Sequence, residues 1–254
     1  MKKLFFIILS GMTFALPAST AFAQSGNLSL GVKGGISVPD LKSSGTNPLS
    51  QGWVSRLGPY FGLVSEIPLG PQISIQAELN YASQGGKKNG AQPIPVSQLG
   101  LELPPGIPLS DYLYANYRSE AILNYLELPV LLKLNFPLNE QLSWFVNAGP
   151  YAGYLLRAKN VTKGSSNIYL DEKLSQVIWP VPISFDSTLN IKDEINRFNF
   201  GIQAGIGLSL QLPAGKLVFT AGGNLGITDI QKDEKNGSNK TGAATITVGY
   251  LIDL

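Results

Sequence analysis

Gln72-Ile73-Ser74-Ile75-Gln76-Ala77-Glu78-Leu79-Asn80-Tyr81 decides the fold. Ile73, Ile75, Ala77, Leu79 and Tyr81 alternate with Gln72, Ser74, Gln76, Glu78 and Asn80. Successive side chains of a strand point to opposite faces, so this stretch has one apolar face and one polar face. A helix would bring its apolar residues back at every third or fourth position instead.

The same period recurs seven more times. The apolar faces are Leu28, Leu30, Val32 and Ile36 in strand one (about 27–36), and Leu57, Phe61, Leu63 and Ile67 in strand two (about 54–68). Strand four (about 121–136) carries Leu126, Leu128, Val130, Leu132 and Leu134; strand five (about 142–157) carries Trp144, Val146, Ala148, Tyr154 and Leu156. Strand six (about 196–211) runs from Phe198 to Leu210, strand seven (about 216–228) from Leu217 to Ile227, and strand eight (about 243–254) from Ala244 to Leu254. Gly and β-branched residues fill these runs and disfavour helix. One short helical turn is expected around Ser110–Ser119.

The connections alternate in length. Leu69-Gly70-Pro71, Pro137 to Gln141 and Leu212 to Gly215 are short; 37–53, 85–120, 158–195 and 229–242 are long. Short turns at one end and long loops at the other are the plan of an up-and-down transmembrane barrel. Eight strands put both chain ends on the short-turn side, which is then periplasmic.

Composition narrows the function. The 254 residues include 19 Lys+Arg against 17 Asp+Glu, no His and no Cys, with 14% charged and 44% hydrophobic. The two excess positives are Lys2 and Lys3, and residues 1–23 contain no acid, so 24–254 balance at 17 against 17. Lys2-Lys3, the apolar run Leu4–Leu16 and Ala21-Phe22-Ala23 read as a cleaved export signal over 1–23, which leaves a barrel domain over 24–254. A neutral chain has no field to hold nucleic acid. Without Cys or His, disulfides, thiolate chemistry, Ser-His-Asp triads and the commonest zinc sites are excluded. No catalytic, cofactor-binding or metal-binding residue is assigned, and no cofactor is expected.

Alternation alone does not say which face looks outward. A soluble lipocalin-like barrel would hide the apolar face inside. The polar face here is mostly Gly, Ser, Asn, Gln and Thr, too sparsely charged for a water-facing surface. Aromatics of the apolar face gather at the strand ends: Tyr81, Tyr154 and Phe198 near the long loops, and Phe136, Trp144, Phe219 and Tyr250 near the short turns. Amphipathic rings in two girdles mark the two headgroup levels of a bilayer. The expected fold is an all-β, eight-stranded antiparallel transmembrane barrel with its apolar face in lipid.

The last residues, Thr247-Val248-Gly249-Tyr250-Leu251-Ile252-Asp253-Leu254, look like the C-terminal signal read by the barrel assembly machinery, with Thr247, Gly249, Ile252 and Leu254 in the defining places. A terminal Leu stands where an aromatic residue is usual. Leu30–Gly35, Phe61–Leu69, Gln76–Gly85, Leu126–Lys133 and Ala148–Tyr151, in that order, resemble the PorT-like family of outer-membrane β-barrel proteins. The resemblance implies a barrel in the outer membrane of a Gram-negative-type cell, contact with outer-membrane lipid, and an association with secretion machinery.

Parity sends Lys33, Arg56, Glu66, Glu78, Glu127, Lys133, Arg157 and Arg197 into the lumen, where charges must pair. Glu78 and Glu127 are expected to share a cationic partner. Gly201, Gly205 and Gly207 share the inward parity and read as room for long lumen side chains rather than as a nucleotide loop. The loops 85–120 and 158–195 are rich in Pro and apolar residues, including Val177-Ile178-Trp179-Pro180-Val181-Pro182-Ile183. They either close over the mouth or offer a surface to an envelope protein. A structural or interaction role is expected; a narrow porin-like channel for small solutes comes second and a His-free enzyme third.

Overall fold

The computed structural model describes residues 28–44, 46–99, 111–233 and 237–254. The expected export segment 1–23 lies outside them, as do Asn27 of strand one, 100–110 of the loop 85–120 and 234–236 of the loop 229–242. In chain order the strands are β1 (Ser29–Ser44), β2 (Gly58–Pro68), β3 (Ile73–Pro95), β4 (Tyr112–Pro137), β5 (Leu142–Lys163) and β6 (Ser165–Tyr169). They continue with β7 (Val177–Ser184), β8 (Ser187–Asn190), β9 (Phe198–Leu212), β10 (Gly215–Gly226) and β11 (Ser238–Asp253). A one-turn helix, α1 (Val96–Leu99), follows β3.

Eight strands close an antiparallel ring in the order β1-β2-β3-β4-β5-β9-β10-β11, and β11 returns to β1. Three tight turns join β2 to β3, β4 to β5 and β9 to β10 at one end. Leu28 and Leu254 meet at that same end, where the Leu254 amide donates to the Leu28 carbonyl at 2.8 Å.

The stagger of the ring sets its dimensions. From Phe136 on β4, directly paired residues run through Trp144, Leu208, Phe219 and Val248. The row goes on through Gly34, Phe61 and Tyr81 and re-enters β4 at Leu126. One circuit therefore slips ten residues, from 136 to 126. Closed barrels tilt their strands by about 35–45°. At about 3.3 Å per residue, the stretch from Trp144 to Tyr154 on β5 then climbs about 25 Å along the axis, the height of an outer-membrane apolar band.

That slip explains why one spiral row supplies both girdles. Phe136 stacks on Trp144 with centroids 4.3 Å apart at the short-turn end, and Phe219 and Tyr250 lie outward nearby. At the other end the row continues through Phe61, Tyr81, Leu126, Tyr154 and Phe198. Phe61 stacks on Tyr81 at 4.9 Å, and Tyr154 meets Phe198 edge-on at 5.4 Å. Between the girdles the outer face is Leu, Ile and Val, with Leu132, Ile206 and Ile246 at 51%, 54% and 62% exposure. Water does not tolerate such a continuous apolar belt, and a bilayer does. At the C-terminus, Thr247 is buried in the lumen while Ile252 and Leu254 face out.

The long loops depart from the sequence reading. Most of 85–120 is strand: β3 runs on to Pro95 and β4 starts at Tyr112, and the two stay paired along this length. Of the helical turn expected around Ser110–Ser119, Ser110 lies outside the described residues and Tyr112–Ser119 is strand; the helical turn falls at α1 instead. Most of 158–195 is also ordered, with β6 and β7 added beyond β4 and β8 added to the upper part of β5. This extension has its own core of Ile94, Leu113, Ala115 and Ile168, with Trp179 and Phe185 packed against it. Apolar residues that looked like loop content are its interior.

Candidate functional site

The lumen is filled in three layers. Nearest the short turns lies a layer of ion pairs. Glu66 on β2 accepts from Lys133 Nζ on β4 and from Lys216 Nζ on β10, both at 2.9 Å, and from Ser74 Oγ at 3.0 Å. Glu78 on β3 pairs with Lys33 on β1 at 2.6 Å and also accepts from Asn80 and Gln203 amides at 2.8 and 3.1 Å. Gly62 occupies the inward position of β2 between Lys33 and Asn80, so no side chain stands between Lys33 and β3. Phe145 and Tyr60 rings lie under the ammonium groups of Lys133 and Lys33, at 4.2 and 5.0 Å to their centroids. What space remains in this layer is a cavity of about 20 Å³, roughly one water.

Above it lies a layer of amides. Glu127 on β4 is fully buried and accepts from Gln84 Nε2 at 3.0 Å and Asn224 Nδ2 at 3.1 Å. Asn199 donates to Tyr151 Oη and to Thr241 Oγ1 alongside. The expected common cation of Glu78 and Glu127 is not there: Lys33 is committed to Glu78, and Glu127 forms no ion pair among the described residues. Two facing amides meet the carboxylate's two oxygens in its place.

The third layer is apolar and lies across the mouth, beside a hollow of about 450 Å³ that Leu41, Trp53, Leu123, Ile191, Ile195 and Ile230 line. Leu41, Leu123, Tyr125, Leu155, Ile195 and Ile230 are buried together, with Trp53 and Ile191 against them. Lys88 on β3 sits over the Trp53 ring at 4.6 Å and donates to the Leu49 carbonyl at 2.8 Å. Burial pulls this ammonium down to about 8.

Three arginines read as lumen groups are elsewhere. Arg56 precedes β2; it is buried at the mouth, where it pairs with Glu120 at 2.8 Å and donates to Ser83 Oγ and the Gln84 carbonyl. Arg157 is outside the barrel. Between β4 and β5 the register shifts at Asn124/Tyr125, so Leu155 pairs with Tyr125 but Arg157 pairs with Asn124. The extra residue is a β-bulge, and beyond it the parity of β5 inverts. Leu155 is buried, and Leu156 and Arg157 are both exposed. Arg197 ends just short of β9, half exposed and 3.9 Å from the exposed Asp193. The lumen charges named from the sequence also leave out Lys216, although parity with the outward Leu217 puts it inside.

The inward glycines make room for rings. On paired positions of β5 and β9, Phe145 faces Gly207, Asn147 faces Gly205 and Tyr151 faces Gly201. A Cβ on Gly207 would run into the Phe145 ring, and one on Gly201 into the Tyr151 ring.

Chemically, every lumen carboxylate is engaged by buried partners, and the described residues contain no cluster of three or more metal-ligating side chains. The surfaces left free lie on the extension. Its edge strand β7 carries exposed Val177 and Val181. Pro180 and Pro182 remove two amide donors there, which blocks pairing with another strand.

A family model described as outer membrane protein beta-barrel domain matches residues 22–232. Among solved structures the chain is similar to Ail, the attachment invasion locus protein of Yersinia pestis, at 14% identity over 90% of this chain and 100% of that one, with TM-score 0.37. It is similar to Neisserial surface protein A at 10% identity, 89% and 97% coverage and TM-score 0.44. It is also similar to OprG from Pseudomonas aeruginosa at 10% identity, 91% and 98% coverage and TM-score 0.36. No curated protein matches it.

Proposed function

The chain belongs to the family of outer-membrane β-barrel proteins, and from that premise we propose that it is a closed scaffold, which holds the extension built from β3 to β8 outside the membrane as a surface for an envelope protein. The filled lumen is the observation that carries this reading. A porin-like role needs a continuous aqueous path; the layer of ion pairs holds a cavity of about 20 Å³, about one water, and the hollow of about 450 Å³ lies in the apolar layer, on the far side of the amides. An enzyme needs an acid, base or nucleophile that a substrate can reach. The lumen carboxylates are hydrogen-bonded to buried partners, and there is no His.

The extension, by contrast, has its own core and an exposed apolar edge. Because the prolines of β7 discourage strand addition, the partner docks on side chains such as Val177 and Val181 rather than on the backbone. The PorT-like stretches point to a partner in secretion machinery. Since the chain has no cysteine, Val181→Cys gives a single attachment point for a photo-crosslinker in the native envelope. One envelope protein should be captured, and capture should vanish when 165–186 are replaced by a short turn while the barrel still shifts its mobility on heating in SDS gels. Capture of nothing, or capture that survives the replacement, would sink the scaffold role.

A further inference from the structure

The outer wall of β3, β4 and β5 above the upper girdle is a patch of cations that form no ion pair among the described residues. On these strands the outward parity of Tyr81, Leu126 and Tyr154 continues upward past the bulge. The first rows above the girdle place Arg157 beside Asn124 and Lys159 beside Ile122. Higher rows place Lys87 beside Glu120, and Arg118 directly opposite Lys163. At about 3.3 Å per residue and a tilt of about 40°, these rows span roughly 5–20 Å above the girdle. The upper rows border a hollow of about 500 Å³.

This patch works against the fold's own stability. Like charges directly opposite on paired strands repel, and Arg118 and Lys163 are such a pair. Among the described residues, none of Lys87, Arg118, Arg157, Lys159 and Lys163 forms an ion pair. The acid of these rows, Glu120, is already held by Arg56. Nearby Asp186 caps the Gly164 amide at 2.8 Å. Residues 24–254 balance at 17 charges of each sign, so five free cations on one wall are a local excess that the lumen does not use. They continue the lipid-facing surface at the height where the apolar band gives way to headgroups.

We propose that this wall binds the phosphate groups of phosphorylated glycolipid headgroups in the outer leaflet, with Arg157 and Lys159 meeting phosphates nearest the acyl chains and Lys87, Arg118 and Lys163 meeting those farther out. The full barrel in detergent micelles would be titrated with diphosphorylated lipid A, with the same lipid dephosphorylated, and with inorganic phosphate at equal phosphate concentration. Binding is read from the upward shift of the unfolding midpoint and from lipid retained after detergent exchange. The phosphorylated lipid alone should raise the midpoint, and added salt should weaken the effect. Neutralising a cation near an anionic surface costs about fivefold in binding. The variant R118Q/R157Q/K159Q/K163Q should therefore bind at least about a hundredfold more weakly while still shifting its mobility on heating. Equal binding of the dephosphorylated lipid, an equal response to free phosphate, or full retention by a folded quadruple variant would each overturn the proposal. The comparison of the three ligands on the unaltered protein decides the matter even if the variant does not fold.

Discussion

Glu66→Ala should lower the stability of the barrel by about 3–5 kcal/mol, the range for removing one partner of a buried ion pair. Glu66 holds two ammonium groups, those of Lys133 and Lys216, at 2.9 Å. Lys133 is 1% exposed, so without the carboxylate its charge has no water to turn to. The Phe145 ring at 4.2 Å offsets part of that loss, and a cation–π contact is weaker than an ion pair. Glu127→Gln is the informative contrast. Glu127 has amide partners and no cation, so the change should cost less than about 1.5 kcal/mol, the scale of one hydrogen bond. Unfolding by urea in detergent micelles, followed by the gel mobility shift, would measure both. Equal losses for the two variants would contradict the division of the lumen into a charged layer and an amide layer.

The second large effect is steric. Gly207→Val places a branched side chain against the ring of Phe145, which is fully buried, and against the Phe219 carbonyl on the neighbouring strand. The ring is fully buried and the carbonyl belongs to the ladder, so overpacking should cost about 3 kcal/mol. The heat-sensitive folded band should be weakened or lost. Gly34 on the outer face has nothing within 4 Å of its would-be Cβ, and Gly34→Ala should stay within about 0.5 kcal/mol of the parent. A folded, fully stable Gly207→Val barrel would mean that the lumen is not packed as described.

These two cases show what was legible in the sequence and why. Period two over Gln72–Tyr81 and its seven counterparts gave the strands, and the girdle residues gave the outward face, because inside a bilayer the two faces meet different media. Above the membrane both faces of a strand meet water or each other. Alternation then fades, and Gly85-Gly86-Lys87-Lys88-Asn89-Gly90 reads as loop although it is the middle of β3. Pro93 and Pro95 reinforced that reading. They are tolerated because β2 pairs with β3 only as far as Ala82 and Val54 bridges to it only at Lys87, which leaves Pro93 and Pro95 on an edge.

The bulge at Asn124/Tyr125 is a second limit. One inserted residue inverts parity, and nothing in Tyr154-Leu155-Leu156-Arg157 marks where it falls, so alternation alone carries Arg157 to the wrong side. The pairing of Lys33 with Glu78 alone, where a cation shared by Glu78 and Glu127 is expected, is a third. Parity fixes which face a residue takes, whereas the ten-residue slip fixes which inward residues meet, and that slip is a property of the closed ring.

A scaffold barrel needs a closed lumen. Purified full-length barrel reconstituted in planar bilayers should give no resolved conductance steps, at neutral pH, over the voltages at which small-solute porins conduct. Reproducible single-channel steps, abolished by substitutions in the Glu66–Lys133–Lys216 layer, would contradict it and make the protein a channel.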